Sequence, residues 1–314
     1  MTPDPVRRHS LRILAGLGCV PCLCGRSLHA ATGAPRELRI VMGPEATSGR
    51  QIQQALKLRY PGLVVEAELA DARRSAAAVM QLAIGSAGLR RALDTGLKGP
   101  LISVLASSQA YRQLLAQDTG RERASVTAIH AEASPLAQLQ LISAIFEGRA
   151  TVGVLLSDAS AYLERALRQA ATSTGMDLLV ERVAPSADVV RSLTRLRGVQ
   201  VLLAVPDNVL YTPDTLRSIL ESTYRRGMPV VGFSAATVAA GTLATAYCAI
   251  DDVVADLVDL LDPLMSQAVA EALPEPRFPH YWRVVVNDSV ARSLGVPLNE
   301  RILRLGNRPP GRAG

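Results

Sequence analysis

Two short apolar runs in the C-terminal half of the chain end at polar side chains that could bind a ligand. Residues 201–205 are apolar and are followed by Asp207 and Asn208, and residues 229–233 are followed by Ser234. A short apolar run of this kind is typical of a strand buried on both faces. Ligands of open parallel sheets bind where strands deliver their carboxyl ends, so a carboxylate, an amide and a hydroxyl are predicted at one edge. The alternative is that Asp207 and Asn208 only end a strand and turn the chain.

The segment between these two runs has the pattern of a helix. Thr212 is a good N-cap and Pro213 suits the first turn, while Leu216, Ile219 and Leu220 repeat at helical spacing. The three pieces predict a strand, a helix and a second strand. Parallel strands joined in this way belong to an α/β fold.

The same alternation of strands and helices is predicted over most of the chain. The strands of the N-terminal half are expected at 38–42, 63–69, 101–106 and 126–130, with helices at 50–58, 76–93, 111–115 and 135–146. The pattern restarts with strands at 151–156 and 178–183 and helices at 162–171 and 189–196. We therefore expect two doubly wound parallel sheets, with the first crossover at 148–151.

Four segments of the second half resemble a known family. They are PDN at 206–208, MPVVGFS at 228–234, VAAGTLATAY at 238–247 and VVVNDSVARSLGVPL at 284–298. Over residues 135–298 the chain resembles ABC-transporter substrate-binding proteins of the type I periplasmic binding protein fold, the group that includes bacterial tryptophan- and tyrosine-binding lipoproteins. The resemblance implies two Rossmann-like lobes joined by a hinge, a small solute in the cleft between them, and no catalytic residue. It also implies that a long helix at 253–272 packs back on the first lobe.

Combining the pattern with the resemblance divides the chain into segments. Residues 1–34 are predicted to be an export signal, because Arg7, Arg8 and Arg12 precede a short apolar core. Lobe one is predicted at 35–148 plus 249–275, lobe two at 149–248 plus 276–307, and a disordered tail at 308–314. The expected location is the periplasm, with a lipid anchor on Cys19 as the alternative.

The candidate ligand-binding residues are polar or aromatic side chains at predicted strand ends of both lobes. They are Ser107, Ser108, His130, Ser157, Asp207, Asn208, Ser234 and Tyr247. Backbone N–H groups of the helix after Ser107 and Ser108 would suit a carboxylate, and Asp207 would suit an ammonium group. Together they predict an amino-acid-like ligand. For His130 the alternative is a hydrogen-bonded histidine at a strand terminus.

Composition argues against several other functions. The net charge is +6, of which four arginines and one aspartate before residue 31 supply +3, and no basic block is interleaved with aromatic residues, so no nucleic-acid partner is expected. Few His and Cys residues remain after residue 34, so we expect no metal, no cofactor and no enzyme. The Gly43 to Gly49 segment lacks the lysine of a phosphate-binding loop. The expected partner is the membrane permease of an ABC transporter or, alternatively, a membrane sensor that is signalled without transport.

Overall fold

The computed structural model of the protein describes residues 37–43, 47–62, 64–66, 79–95, 99–118, 125–147, 150–184, 187–266 and 273–311. The predicted export signal lies outside these residues, as do Cys19 and residues 312–314 of the predicted tail. Among the described helices, none is both long enough and apolar enough to cross a bilayer.

The first sheet is built from strands of the N-terminal half. In chain order these are β1 (Leu38–Met42), β2 (Val64–Glu66), β3 (Met80–Ile84), β4 (Leu101–Val104) and β5 (Val126–Ile129). They lie in the order β2-β1-β3-β4-β5, and each neighbouring pair is parallel. The helices described between them are α1 (Thr47–Arg59), α2 (Gly85–Asp94) and α3 (Ser108–Gln117).

The prediction of helical structure across residues 76–93 was wrong for residues 80–84, which form β3. All five side chains of β3 are buried, so this strand carries no alternation of polar and apolar residues. Gly85 has a φ of +74°, which lets the chain pass directly from β3 into α2. A Cβ atom at Gly88 would lie 2.6 Å from the carbonyl oxygen of Val41, so this glycine permits close packing of α2 on β1. The two glycines that interrupt the helical pattern thus mark the start of α2 and its contact with the sheet.

The second sheet contains the strands of the C-terminal half. They are β6 (Thr151–Leu156), β7 (Asp177–Arg182), β8 (Val201–Leu203), β9 (Val230–Val231), β10 (Ala244–Tyr247), β11 (Trp282–Val286) and β12 (Gly306–Asn307). Their order is β12-β11-β10-β9-β8-β6-β7; β6 to β10 are parallel, and β11 is antiparallel to both of its neighbours. Two parallel α/β sheets were predicted, and this fold class is confirmed.

The remaining helices follow the strands of the second sheet or connect it to the first. They are α4 (Pro135–Ile145), α5 (Glu164–Thr174), α6 (Val189–Ser192), α7 (Pro213–Tyr224), α8 (Ala235–Ala239), α9 (Ile250–Ser266), α10 (Asp288–Ser293) and α11 (Glu300–Leu303). Short 3-10 turns cover Ala161–Leu163 and Leu193–Arg195. The predicted cap of α7 is confirmed, because the hydroxyl of Thr212 accepts a hydrogen bond of 3.2 Å from the N–H of Thr215.

Alternating side chains of the first sheet pack into two separate cores. Leu82 and Ile102 belong to a core that α1 and α9 complete, whereas Ala83 and Leu101 belong to one that α2 and α3 complete. Helix α9 follows β10 of the second sheet but buries its apolar side chains, such as Leu257, against the first. The chain therefore returns to the first sheet between β10 and α9.

Helix α4 corrects the predicted position of the first crossover. It follows β5 of the first sheet, yet Leu139, Leu141 and Ile142 are fully buried in the core of the second sheet. The amide of Gln138 donates a hydrogen bond of 2.8 Å to the carbonyl oxygen of Ala246 in β10. The chain thus leaves the first sheet before Pro135 rather than at 148–151.

The last crossover brings the chain back to the second sheet. Arg277 forms an isolated parallel bridge with Ile129 of β5, and β11 then begins at Trp282 beside β10. Farther along, Pro309 and Pro310 line a surface depression together with residues of α1 and α9. Part of the predicted tail therefore lies beside the helices of the first sheet.

Candidate functional site

A cavity of about 330 Å³ is lined by loops that follow strands of both sheets. The residues that line it from the first sheet follow β4 and β5, and those from the second sheet follow β8 and β9. In chain order they are Ser107, Gln109, Ala131, Glu132, Pro206, Asp207, Asn208, Tyr211, Phe233 and Ser234. All of these loops lie at the carboxyl ends of parallel strands, where ligands of open α/β sheets bind. The volume suits a small molecule.

The structure brings four of the eight predicted site residues to this cavity. They are Ser107, Asp207, Asn208 and Ser234. The other four, Ser108, His130, Ser157 and Tyr247, are not among the residues that line it. Ser108 and Ser157 are buried directly behind the lining and bond to residues that form it.

The hydrogen bonds of Asp207 argue against its predicted role as a partner for a ligand ammonium group. Its carboxylate is only 2% exposed. One oxygen accepts from the hydroxyls of Ser157 and Ser160, each at 2.6 Å, and from the N–H of Ser157 at 3.2 Å. The other accepts from the N–H groups of Val209 and Leu210 at 2.9 and 3.1 Å. Five donors of the second-sheet side already satisfy this carboxylate, so it fixes the loop after β8 and needs no ligand.

The predicted carboxylate site at the start of α3 is likewise taken by the protein itself. The N–H of Ser108 donates to both carboxylate oxygens of Glu132, at 3.0 and 3.1 Å, and its hydroxyl also donates to Glu132. The hydroxyl of Ser107 accepts from the N–H of Ala110 at 3.1 Å and so caps the helix. A ligand carboxylate placed here would compete with Glu132. The amino-acid-like ligand was predicted from two groups, the Asp207 carboxylate and the N–H groups at the start of α3. Both groups already bond to other residues of the protein.

Side chains from the two sides of the cavity contact each other directly. The side-chain amide of Gln109 donates to Asn208 Oδ1 at 2.9 Å, and the N–H of Asn208 donates to Gln109 Oε1 at 3.1 Å. Beside this pair, the hydroxyls of Ser108 and Tyr162 are 2.6 Å apart, and the guanidinium of Arg112 lies 4.5 Å from the centre of the Tyr162 ring. We call the Gln109 and Asn208 pair the amide latch. It connects the start of α3 to the loop after β8 across the cavity.

Removing the amide latch is expected to shift the protein toward an open form. Two neutral hydrogen bonds contribute about 1 kcal/mol each, so Gln109→Ala should lower the ratio of closed to open molecules by about 10- to 30-fold without unfolding either side. Small-angle X-ray scattering of the ligand-free protein should show a larger radius of gyration for this variant. Gln113→Ala, which changes an exposed residue one turn later in α3, is the control. Identical scattering from both variants would show that the latch does not hold the two sides together.

His130 is placed in the first sheet's interior rather than on the cavity. It is 8% exposed, and its ring packs edge-on against Tyr111 and Phe278, with centroid distances of 5.5 and 5.3 Å. Its Nδ1 atom is buried and has no hydrogen-bond partner among the described residues. Burial, with a smaller contribution from the charge of Arg112, lowers the pKa of His130 to about 4. The alternative prediction, a hydrogen-bonded histidine at a strand terminus, does not describe this ring either. Among the described residues the ring packs against two aromatic side chains, and its Nδ1 atom has no hydrogen-bond partner.

The lowered pKa of His130 predicts a loss of stability in acid. The unfolded chain binds a proton at a pKa near 6.5 and the folded chain at about 4, so the contribution is complete above pH 6.5 and is lost as pH falls toward 4. This difference in proton binding corresponds to about 3 kcal/mol of stability. His130→Phe keeps an aromatic ring and should flatten the pH dependence of the free energy of unfolding between pH 6.5 and 4 by about that amount. Urea titrations at several pH values measure it, and parallel curves for wild type and variant would contradict the assignment.

Sequence reasoning missed several residues that line the cavity. Glu132 follows β5 by three residues and Phe233 follows β9 by two, so the strand-end rule used for Asp207 applies to them equally. Tyr211 lies in the loop before α7, is 8% exposed, and has a hydroxyl with no partner among the described residues. Burial, together with the nearby charge of Asp207, raises the pKa of this hydroxyl. The strand-end pattern could have found Glu132, but no sequence pattern indicates the unpaired hydroxyl.

The charged groups around the cavity are acidic. Glu132 and Asp207 are the two ionisable carboxylic acids that line it, and no Lys, Arg or His is among the lining residues that the structure describes. Burial raises the pKa of Glu132, partly offset by its hydrogen bonds from Ser108. Within the described residues, no three His, Cys, Asp or Glu side chains are grouped closely enough to hold a metal ion.

No protein-family profile and no curated protein matches the sequence. Solved structures do match the fold. A substrate-binding protein with adhesive properties from Clostridium difficile, in its ligand-free, open form, aligns with a TM-score of 0.61 at 14% identity and covers 88% of this chain and 100% of its own. The ABC domain from Streptococcus pneumonia in complex with L-Trp aligns at 0.53 with 15% identity, over 85% of this chain and 98% of that one. A conserved domain protein from Vibrio cholerae aligns at 0.54 with 16% identity, over 86% and 98%.

These alignments span both sheets and nearly the full length of the matched proteins. The fold expected from the resemblance, the two-lobed α/β fold of type I periplasmic binding proteins, is therefore confirmed. At these identities the similarity concerns the fold, and the ligand and partners have to be argued from the site.

Proposed function

We propose that this protein is the periplasmic solute-binding component of an ABC-type importer and that its two lobes close on a small polar ligand. The observation that carries the proposal is the cavity between strand ends of both sheets, with Gln109 and Asn208 in contact across it. A site shared between two lobes changes shape when they move apart. A cavity formed by both lobes can therefore bind a solute as the lobes close and release it as they open.

The ligand in this proposal is small and polar, without the amino-acid-like character expected from the sequence. A cavity of about 330 Å³ limits its size. Free hydrogen-bonding capacity remains at the hydroxyls of Ser107, Ser234 and Tyr211 and on the carboxylate of Glu132. Phe233 supplies an apolar face. A zwitterion would find both of its expected partners already occupied.

We propose that the protein is periplasmic and that its export signal, residues 1–34, is removed. Its proposed membrane partner is the permease of the transporter. The lining of the cavity offers hydroxyl and carboxylate groups that can bind a polar solute.

Disruption of the gene tests whether the protein serves import or sensing. Loss of this protein should abolish uptake of the labelled ligand by whole cells, and a plasmid copy should restore it. Unchanged uptake, together with a lost transcriptional response to the ligand, would favour the alternative in which the protein signals to a membrane receptor.

A further inference from the structure

We propose that the cavity selects a small organic cation, an amine without a carboxylate, and that Glu132 is the residue that contacts it. This inference rests on the proposed function and deepens it, because it names the chemical class of the solute. The charges, the unused hydrogen-bonding capacity and the aromatic groups of the lining support it.

The charge of the lining favours a cation. Two carboxylates, Glu132 and Asp207, line the cavity, and the described lining contains no basic side chain. An anionic ligand would therefore meet like charge in a partly desolvated site whose described lining contains no cation. A cation would meet opposite charge.

The two carboxylates differ in the number of hydrogen bonds that they accept. Asp207 is held by five donors, whereas the donors to the Glu132 carboxylate among the described residues are the backbone and hydroxyl of Ser108 and the backbone of Glu132 itself. Glu132 is 6% exposed and has no cationic partner among the described ion pairs. Its burial raises its pKa, because removal from water disfavours the charged form. An ammonium group would stabilise that charged form and would supply three donors.

Two aromatic side chains of the lining could contact the rest of the ligand. Tyr211 lines the cavity and is more than nine-tenths buried, and its hydroxyl has no hydrogen-bond partner in the part of the chain that the structure describes. Its ring lies 6.0 Å from that of Phe233 in an edge-to-face arrangement. Aromatic rings beside a carboxylate suit an organic cation, because the ring faces attract positive charge and the rings pack against an apolar body. A phenolic hydroxyl without a partner offers one more polar contact.

Four probes with one common body test the charge preference. Phenethylamine is a cation, 2-phenylethanol is neutral, phenylalanine is a zwitterion and 3-phenylpropanoate is an anion. Calorimetry with the wild-type protein at pH 7.5 should show phenethylamine binding at least 10-fold more tightly than each of the others. Tighter or equal binding of any other probe, or no binding of phenethylamine, would overturn the inference.

A matched pair of variants tests the role of Glu132. Glu132→Gln keeps the shape and should weaken phenethylamine binding about 10- to 100-fold, while binding of 2-phenylethanol changes less than about threefold. Glu147→Gln, an exposed residue at the end of α4, should bind like wild type. Equal losses for the amine and the alcohol would reduce Glu132 to a structural residue and contradict the proposal. The melting temperature of each variant shows whether it is folded, and the probe series with wild type does not depend on any variant.

Failure of this inference can be told apart from failure of the proposed function. Native mass spectrometry after incubation with a small-metabolite extract detects a bound solute whatever its charge. A bound neutral or anionic solute would overturn the inference and leave the binding function intact. A bound amine supports both, and the absence of any bound solute contradicts both.

Discussion

Asp207→Ala is expected to lower the free energy of unfolding by about 3 kcal/mol or more in the absence of any ligand. The N–H groups of Val209 and Leu210 would lose their acceptor, as would the hydroxyls of Ser157 and Ser160. Buried donors left without a partner cost about 1–3 kcal/mol each, and a broken buried network accounts for unusually large losses. Urea denaturation followed by circular dichroism measures the change. The loop after β8, which carries Asn208, should lose its fixed shape at the same time.

Two further variants give this prediction its controls. Asp207→Asn keeps one oxygen for Val209 and Leu210 and lets the serine hydroxyls reorient, so it should cost about half as much. Asp158→Ala changes an exposed carboxylate close to Ser157 and should stay within about 0.5 kcal/mol of wild type. A variant Asp207→Ala that is as stable as wild type but has lost ligand binding would restore the role first predicted for this residue.

Asp256→Ala is expected to cost about 3–5 kcal/mol, because Asp256 is a fully buried partner of an ion pair. Arg277 donates to its two oxygens at 2.6 and 3.1 Å, and the N–H of His280 donates at 2.8 Å. These bonds tie α9 to the segment that returns from the first sheet to the second. The variant leaves the Arg277 guanidinium without its counter-charge, which accounts for most of the cost. Chemical denaturation at pH 7 measures the loss.

An exposed aspartate on the same helix provides a control for the Asp256→Ala variant. Asp259 lies one turn later on α9, is exposed, and accepts a hydrogen bond of 2.8 Å from the hydroxyl of Tyr281. Asp259→Ala should cost less than about 1 kcal/mol, since exposed polar contacts contribute little. Losses of equal size for the two variants would show that the buried ion pair has no special part in stability.

Much of the fold could be predicted from periodicity, because most strands are short buried runs separated by helices with recognisable ends. The cap at Thr212 and the first turn at Pro213 fixed the start of α7 correctly. Strand β3 could not be predicted in this way, since it is buried on both faces and passes into α2 through Gly85 without a polar loop. A short apolar run of this type reads equally well as part of a buried helix.

The positions of the site residues were more predictable than their roles. Ser107, Asp207, Asn208 and Ser234 lie on one cavity because strand ends of a parallel sheet share an edge. The role of Asp207 depends on Ser157 and Ser160, about 50 positions away in the sequence, which approach it only after β6 and β8 have paired. Glu132 occupies the start of α3 for the same reason. Contacts of this kind are tertiary, so no local pattern indicates that a polar group is already satisfied.

The central claim, a small solute bound in the cavity between the two sheets, is tested most directly by native mass spectrometry with two tryptophan variants. Ala131→Trp would fill the cavity from its lining, whereas Ala144→Trp adds the same bulk in a groove beside α4, away from it. After incubation with a small-metabolite extract, wild type and Ala144→Trp should carry the same bound molecule, and Ala131→Trp should carry none. A molecule retained at equal occupancy by Ala131→Trp would show that the solute binds elsewhere and contradict the account.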